Sequence, residues 1–113
     1  MSKPMTVEQA TEGSTVVLAP KGEIDMAHSP SLQKTIAAVQ ADKPPKLVLD
    51  LAGVPYMDSS GIATLVEALQ TSMRHKTKLV LCNLSPRVRS AFEISRLIQM
   101  FSIADSRDAA LKA

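Results

Sequence analysis

Aromatic residues are scarce in this chain of 113 residues: it has no tryptophan, one tyrosine and two phenylalanines. A core without many rings must be aliphatic, built from Leu, Ile, Val, Met and Ala. Charge of one sign is also lacking, since the formal net charge is only +2. A nucleic-acid binder shows a strong basic excess or a basic stripe with aromatics, so nucleic acid is not an expected partner. The single cysteine, Cys82, excludes an intramolecular disulfide, and an oxidising compartment is not implied. No apolar run approaches the roughly 20 residues of a membrane helix. The segment Met1–Thr6 lacks the apolar stretch of a signal peptide. Together these absences predict one soluble, cytoplasmic domain over residues 1–113, without membrane insertion and with residues 1–4 as a loose end.

Catalytic signatures are missing as well. Gly13, Gly22, Gly53 and Gly61 are too scattered for a phosphate loop or a dinucleotide fingerprint. Cys82, His28 and His75 do not have a metal-ligand spacing, so no metal or cofactor is expected. Cys82 ends an apolar strand and reads as a buried, inert thiol. His28 and His75 read as solvated surface residues, and Arg74, His75, Lys76 and Lys78 as a solvated turn. No histidine or lysine is placed to activate a serine, and a carboxylate alone is a poor base for a hydroxyl. The chain is therefore not expected to be an enzyme.

What the sequence does contain is alternation of strand and helix signals. Met5–Ala10 and Ser14–Ala19 read as a hairpin turning at Thr11-Glu12-Gly13. Gly22-Glu23-Ile24-Asp25 continues as an extended piece or a bulge. Ser29-Pro30 predicts a helix start with Ser29 as cap. Leu32, Ile36 and Val39 form its apolar stripe, and Pro44-Pro45 stop it. Residues 46–51 and 78–82 read as buried strands. Between them Ile62, Leu65, Val66, Leu69 and Met73 repeat with helical spacing. Ser85-Pro86 repeats the cap pattern for a third helix with Val88, Ala91, Phe92 and Ser95 inward. A short apolar run at 100–103 precedes a last helix capped by Asp105 or Ser106. This order predicts an α/β fold: a mainly parallel sheet of four to five strands, an N-terminal antiparallel hairpin and about four helices.

The most informative stretch is Val54-Pro55-Tyr56-Met57-Asp58-Ser59-Ser60-Gly61-Ile62. It places Asp-Ser-Ser-Gly where a loop becomes a helix. There the backbone N–H groups lack partners and the helix dipole is positive. Aspartate and serine suit such a place as caps, and a phosphate would also be tolerated there. If one serine caps, the hydroxyl of the other can remain exposed.

With Gly22-Glu23-Ile24-Asp25, Leu49-Asp50-Leu51-Ala52-Gly53-Val54 and Leu84-Ser85-Pro86 through Phe92-Glu93-Ile94-Ser95, this stretch resembles the STAS domain family over nearly the whole chain. It is most similar to the stand-alone bacterial anti-sigma factor antagonists. The resemblance implies a partner-switching regulator. Ser59 would be the phosphoacceptor, with Ser60 the runner-up. The partner would be an anti-sigma factor that is also a serine kinase using ATP, and a serine phosphatase would reset the switch. Asp25, Asp58, Ser59, Ser60, Gly61 and Ile62 match the partner-binding surface. A different class within the same resemblance is a non-enzymatic subunit of a phospholipid-transport ATPase. One departure stands out: Arg96 occupies a position where the family usually has glycine. An arginine in the left-handed conformation there costs on the order of 1 kcal/mol.

Overall fold

The computed structural model describes residues 4–113; most of the expected loose end, residues 1–3, lies outside the described residues. Two strands, β1 (Thr6–Glu12) and β2 (Thr15–Lys21), form the antiparallel hairpin. The turn is Gly13-Ser14, slightly later than expected, and Gly13 takes a φ of +62° that glycine tolerates. Three further strands, β3 (Lys46–Asp50), β4 (Lys78–Cys82) and β5 (Ser102–Ala104), add in parallel. The sheet order follows the chain, β1-β2-β3-β4-β5. Four α-helices connect or follow the strands: α1 (Ser29–Ala41), α2 (Ser59–His75), α3 (Pro86–Ile94) and α4 (Arg107–Lys112). A single turn of 3-10 helix at Ile98–Met100 leads into β5.

The alternation along each strand divides the core in two. Leu18, Leu47, Leu49, Leu79 and Leu81 point to one face and meet Leu32, Ile36, Leu65, Val88 and Phe92 from α1, α2 and α3. Val17, Val48, Val80 and Cys82 point to the other, where Ala110 of α4 covers them. The two phenylalanines, Phe92 and Phe101, meet edge-to-face with centroids 5.2 Å apart.

Helix α2 differs from its expected orientation. Its buried residues are Gly61, Ile62, Thr64, Leu65, Ala68 and Ser72. Met73, expected inside, is 70% exposed. At 3.6 residues per turn the buried set is rotated by roughly a quarter turn from the line through Ile62, Val66, Leu69 and Met73. Small residues explain the roll. Gln40, buried on α1, donates to the Ala68 carbonyl at 2.8 Å and contacts the Ser72 hydroxyl at 3.1 Å, anchoring the Ala68–Ser72 side inward. The apolar flank through Val66 is left beside the core rather than in it.

Three helix ends use non-glycine residues in the left-handed conformation: Lys43 at a φ of +49° after α1, Lys76 at +58° after α2 and Arg96 at +61° after α3. At Arg96 the α3 terminus keeps the glycine-type geometry: Arg96 N–H donates to Glu93 O and Leu97 N–H to Phe92 O, both at 3.0 Å. Among the described residues no helix is long and apolar enough to cross a membrane.

Candidate functional site

The loops that follow β2 and β3 are stitched together before either enters its helix. Ile24 and Met57 form a parallel bridge, with Ile24 N–H donating to Tyr56 O at 3.0 Å and Asp58 N–H to Ile24 O at 3.1 Å. This brings Asp25 and Asp58 to one end of the sheet. Gly61 makes the approach possible. A Cβ on it would lie 2.4 Å from Met57 Cγ and 2.8 Å from Ile24 Cγ2, closer than real side-chain contacts allow. The glycine is there for close packing, not for a turn.

Neither serine caps α2. Asp58 does: its Oδ1 accepts from Ser60 N–H at 2.9 Å and Gly61 N–H at 3.3 Å. The same oxygen accepts from the Ser60 hydroxyl at 2.5 Å. Ser60 Oγ also lies 2.8 Å from Ser29 Oγ across the α1–α2 contact. Ser59 is exposed, and its hydroxyl makes no hydrogen bond to any described residue. The Ser60 hydroxyl holds the Asp58 carboxyl below its usual range against the opposing effect of burial, helped by the N–H groups of Gly61, Ser60 and Met26. Asp58 is thus a carboxylate at neutral pH. The free hydroxyl and the held one are adjacent in sequence and differ wholly in surroundings.

Asp25 turns its carboxylate onto its own loop. Oδ1 accepts from Ala27 N–H and His28 N–H at 3.1 Å each and contacts His28 Nδ1 at 2.7 Å. His28, expected to be solvated, is half-buried against this carboxylate. Ser29, expected to cap α1, makes no cap bond. It lies within the helix, and its hydroxyl is 2.8 Å from Asp25 O. His75 is also less exposed than expected, with Nδ1 3.0 Å from Gln40 O at the end of α2.

A groove of about 720 Å³ runs along α2 from Ser59 past Ile62, Ala63 and Val66 to Arg74, with Ser95 and Leu97 as its opposite wall. Ile62 is mostly buried but contributes its remaining edge. Sequence periodicity marked Val66 as apolar but assigned it to the core. Leu97 was not singled out, because its position depends on how α3 ends. Ser29 was singled out only as a cap; nothing local signals its contact with a residue 31 positions away.

Asp50, at the end of β3, is a second ordered carboxylate. It accepts from Arg107 Nε at 2.8 Å, Asn83 Nδ2 at 3.0 Å and Ala52 N–H at 3.1 Å. Burial pushes its carboxyl up, but the bonds from Asn83, Ala52 and Arg107 together carry it below the usual range. It ties α4 to the sheet. The neighbouring Cys82 thiol is pushed up to about 11, first by burial and then by the Asp50 charge, which fits the expected inert thiol. Among the described residues no group of three or more His, Cys, Asp or Glu could hold a metal ion.

The STAS domain family model matches residues 6–110. The chain belongs to the STAS domain family. Its STAS domain is 36% identical over 94 residues to the proposed anti-sigma factor antagonist BtrV of Bordetella bronchiseptica, covering 82% of this chain and 80% of that one. It is also similar to the crystal structure of an anti-sigma factor antagonist from Mycobacterium paratuberculosis, with a TM-score of 0.90, 29% identity and coverage of 99% and 97%. Unphosphorylated SpoIIAA, an anti-sigma factor antagonist, shares the fold with a TM-score of 0.80 at 21% identity, covering 95% and 94%. SpoIIAA of Bacillus has also been solved in its phosphorylated form, which matches with a TM-score of 0.73 at 20% identity, covering 95% and 97%.

Proposed function

We propose that this STAS domain is an anti-sigma factor antagonist that works by partner switching in the cytoplasm. Unphosphorylated, it docks on an anti-sigma factor that is also a serine kinase. Phosphate on Ser59 ends the docking, and a serine phosphatase restores it. The observation that carries the reading is the exposed, unengaged Ser59 hydroxyl at the start of a 17-residue helix, opening onto the groove beside Val66 and Leu97. Asp25 and Asp58 flank the helix start at the same end of the sheet, Ser60 and Gly61 hold that start in place, and Ile62 offers an apolar edge to the groove.

A phosphate on Ser59 adds about −1.5 to −2 charges. It can extend into water, so no core contact has to break. The positive end of α2 offsets part of its repulsion from Asp58. The docked surface has no such relief: a dianion facing a surface fitted to a hydroxyl meets desolvation and like charge. A loss of about 3–4 kcal/mol weakens binding roughly a hundredfold to a thousandfold. The relatives named as anti-sigma factor antagonists support this choice of partner.

The test is to incubate the protein with ATP and candidate anti-sigma kinases, map the phosphate, and titrate the partner with variants. Ser59→Asp should keep a cooperative thermal transition and lose at least a hundredfold in affinity, while Ser59→Ala should bind and accept no phosphate. Equal partner binding by Ser59→Asp and wild type would remove the switch from this site.

A further inference from the structure

Three oxygen–oxygen contacts link the starts of α1 and α2, but the two serines between them supply only two hydroxyl hydrogens. The contacts are Ser60 Oγ to Asp58 Oδ1, Ser60 Oγ to Ser29 Oγ, and Ser29 Oγ to Asp25 O. Asp58 as a carboxylate only accepts, so the hydrogen between it and Ser60 belongs to Ser60. Asp25 O already accepts from two N–H groups, Ser29 at 2.8 Å and His28 at 3.1 Å, the latter shared with Asp25 Oδ1, so a third hydrogen there is held only in part. The hydrogen of Ser29, donated toward Asp25 O, is therefore shared with Ser60 Oγ at the same 2.8 Å distance. The chain then runs one way, Ser29 to Ser60 to Asp58, and ends on a charge, which strengthens both links. Ser29 is buried, so its hydroxyl has no water to turn to.

We propose that Ser29 is a positioning residue that decides which of the two adjacent serines accepts phosphate. This rests on the partner-switching reading above. By donating to Ser60 Oγ, Ser29 holds that hydroxyl in the one rotamer that faces Asp58 and α1. An incoming phosphoryl donor cannot reach it there without breaking both contacts. A phosphate formed in that rotamer would also stand against the Asp58 carboxylate. Ser59 has neither restraint. The selectivity is thus set by a hydroxyl 30 residues upstream of the acceptor, not by the Asp-Ser-Ser-Gly motif alone.

Two measurements test this. The first needs no kinase: nuclear magnetic resonance couplings report the Ser60 side-chain rotamer. Wild type should show one rotamer. Ser29→Ala should raise the population facing away from Asp58 about fivefold, the effect of losing one neutral hydrogen bond, and Ser29→Thr, which keeps the hydroxyl, should restore it. An unchanged Ser60 rotamer in Ser29→Ala overturns the inference. The second is phosphate mapping by mass spectrometry on protein purified from its native cells. Wild type should carry phosphate on Ser59 only and Ser59→Ala none, while the double variant Ser29→Ala, Ser59→Ala should gain it on Ser60. Phosphate on Ser60 in Ser59→Ala alone, or none on the double variant while wild type is phosphorylated, overturns the inference and leaves the partner-switching reading intact. Absence of phosphate from wild type under all conditions overturns both.

Discussion

Helices α1 and α3 both begin at a Ser-Pro dipeptide, and they use it in opposite ways. At α3, Ser85 stands outside the helix in an extended conformation and its Oγ accepts from Val88 N–H at 3.2 Å, while Pro86 takes the first helical position. At α1, Ser29 is already helical and makes no cap bond. The difference lies upstream. Asp25 accepts from Ala27 and His28 N–H groups and so caps a turn that precedes α1. With the N–H groups provided for, the Ser29 side chain is released to reach α2. Before Ser85, the Asn83 side chain is engaged with Asp50 and Leu84 has no acceptor to offer, so Ser85 alone meets the need. A local signal is obeyed when nothing else meets the same need, and reassigned when something does.

The sharpest way to probe this contrast is to separate the helix starts. Gly61→Ala should cost about 1–3 kcal/mol by forcing α2 off Ile24 and Met57, read from urea denaturation. A cost no larger than that of Ser90→Ala on the exposed side of α3 would mean the two loops are not close-packed. Ser85→Ala and Ser29→Ala should each cost about 1 kcal/mol, one through a lost cap and the other through a lost tertiary hydrogen bond. Hydrogen exchange distinguishes them: protection should fall at Val88 for the first and in the first turn of α2 for the second. Loss at the same amides in both would erase the contrast.

The end of α3 offers a smaller test. Arg96→Gly removes left-handed strain without touching the two carbonyl caps and should raise stability by about 1 kcal/mol, seen as a higher denaturation midpoint. A lower midpoint would show that the arginine side chain makes up for its backbone. Acid gives the finest discrimination. Because the Asp58 carboxyl sits below its unfolded value, its contribution is complete above about pH 4. It is lost as the pH falls through the folded value. Amide protection at Ser60 and Gly61 should therefore weaken below about pH 4, while Val88, capped by a hydroxyl, should not respond in this way.

Much of the architecture was readable without coordinates, for reasons visible in particular residues. Leu47, Val48 and Leu49 are apolar on both sides of the pleat, so their strand had to be covered on both faces. Pro44-Pro45 had to end α1, and Ser85-Pro86 had to open α3. The Asp-Ser-Ser-Gly stretch had to stand at a helix start. The roll of α2 was not readable, because Val66 and Met73 satisfy the apolar period as well as Ala68 and Ser72 satisfy the packing. Periodicity measures hydrophobicity, whereas burial also rewards small size and a hydrogen bond from Gln40.

By itself, the chain's order of residues determined the element sequence, the aliphatic core, the place of Asp58 and Ser59 at the mouth of a helix, and the family. These depend on neighbours a few positions apart, whose spacing is set by covalent geometry. Tertiary structure alone decided that Ser60 is held against Ser29 while Ser59 is free, and that Val66 and Leu97 line one groove. Each of those outcomes is a competition between groups that meet only after the chain has folded. Which hydrogen bond or contact prevails depends on what else is within about 3 Å, and a linear sequence does not carry that distance.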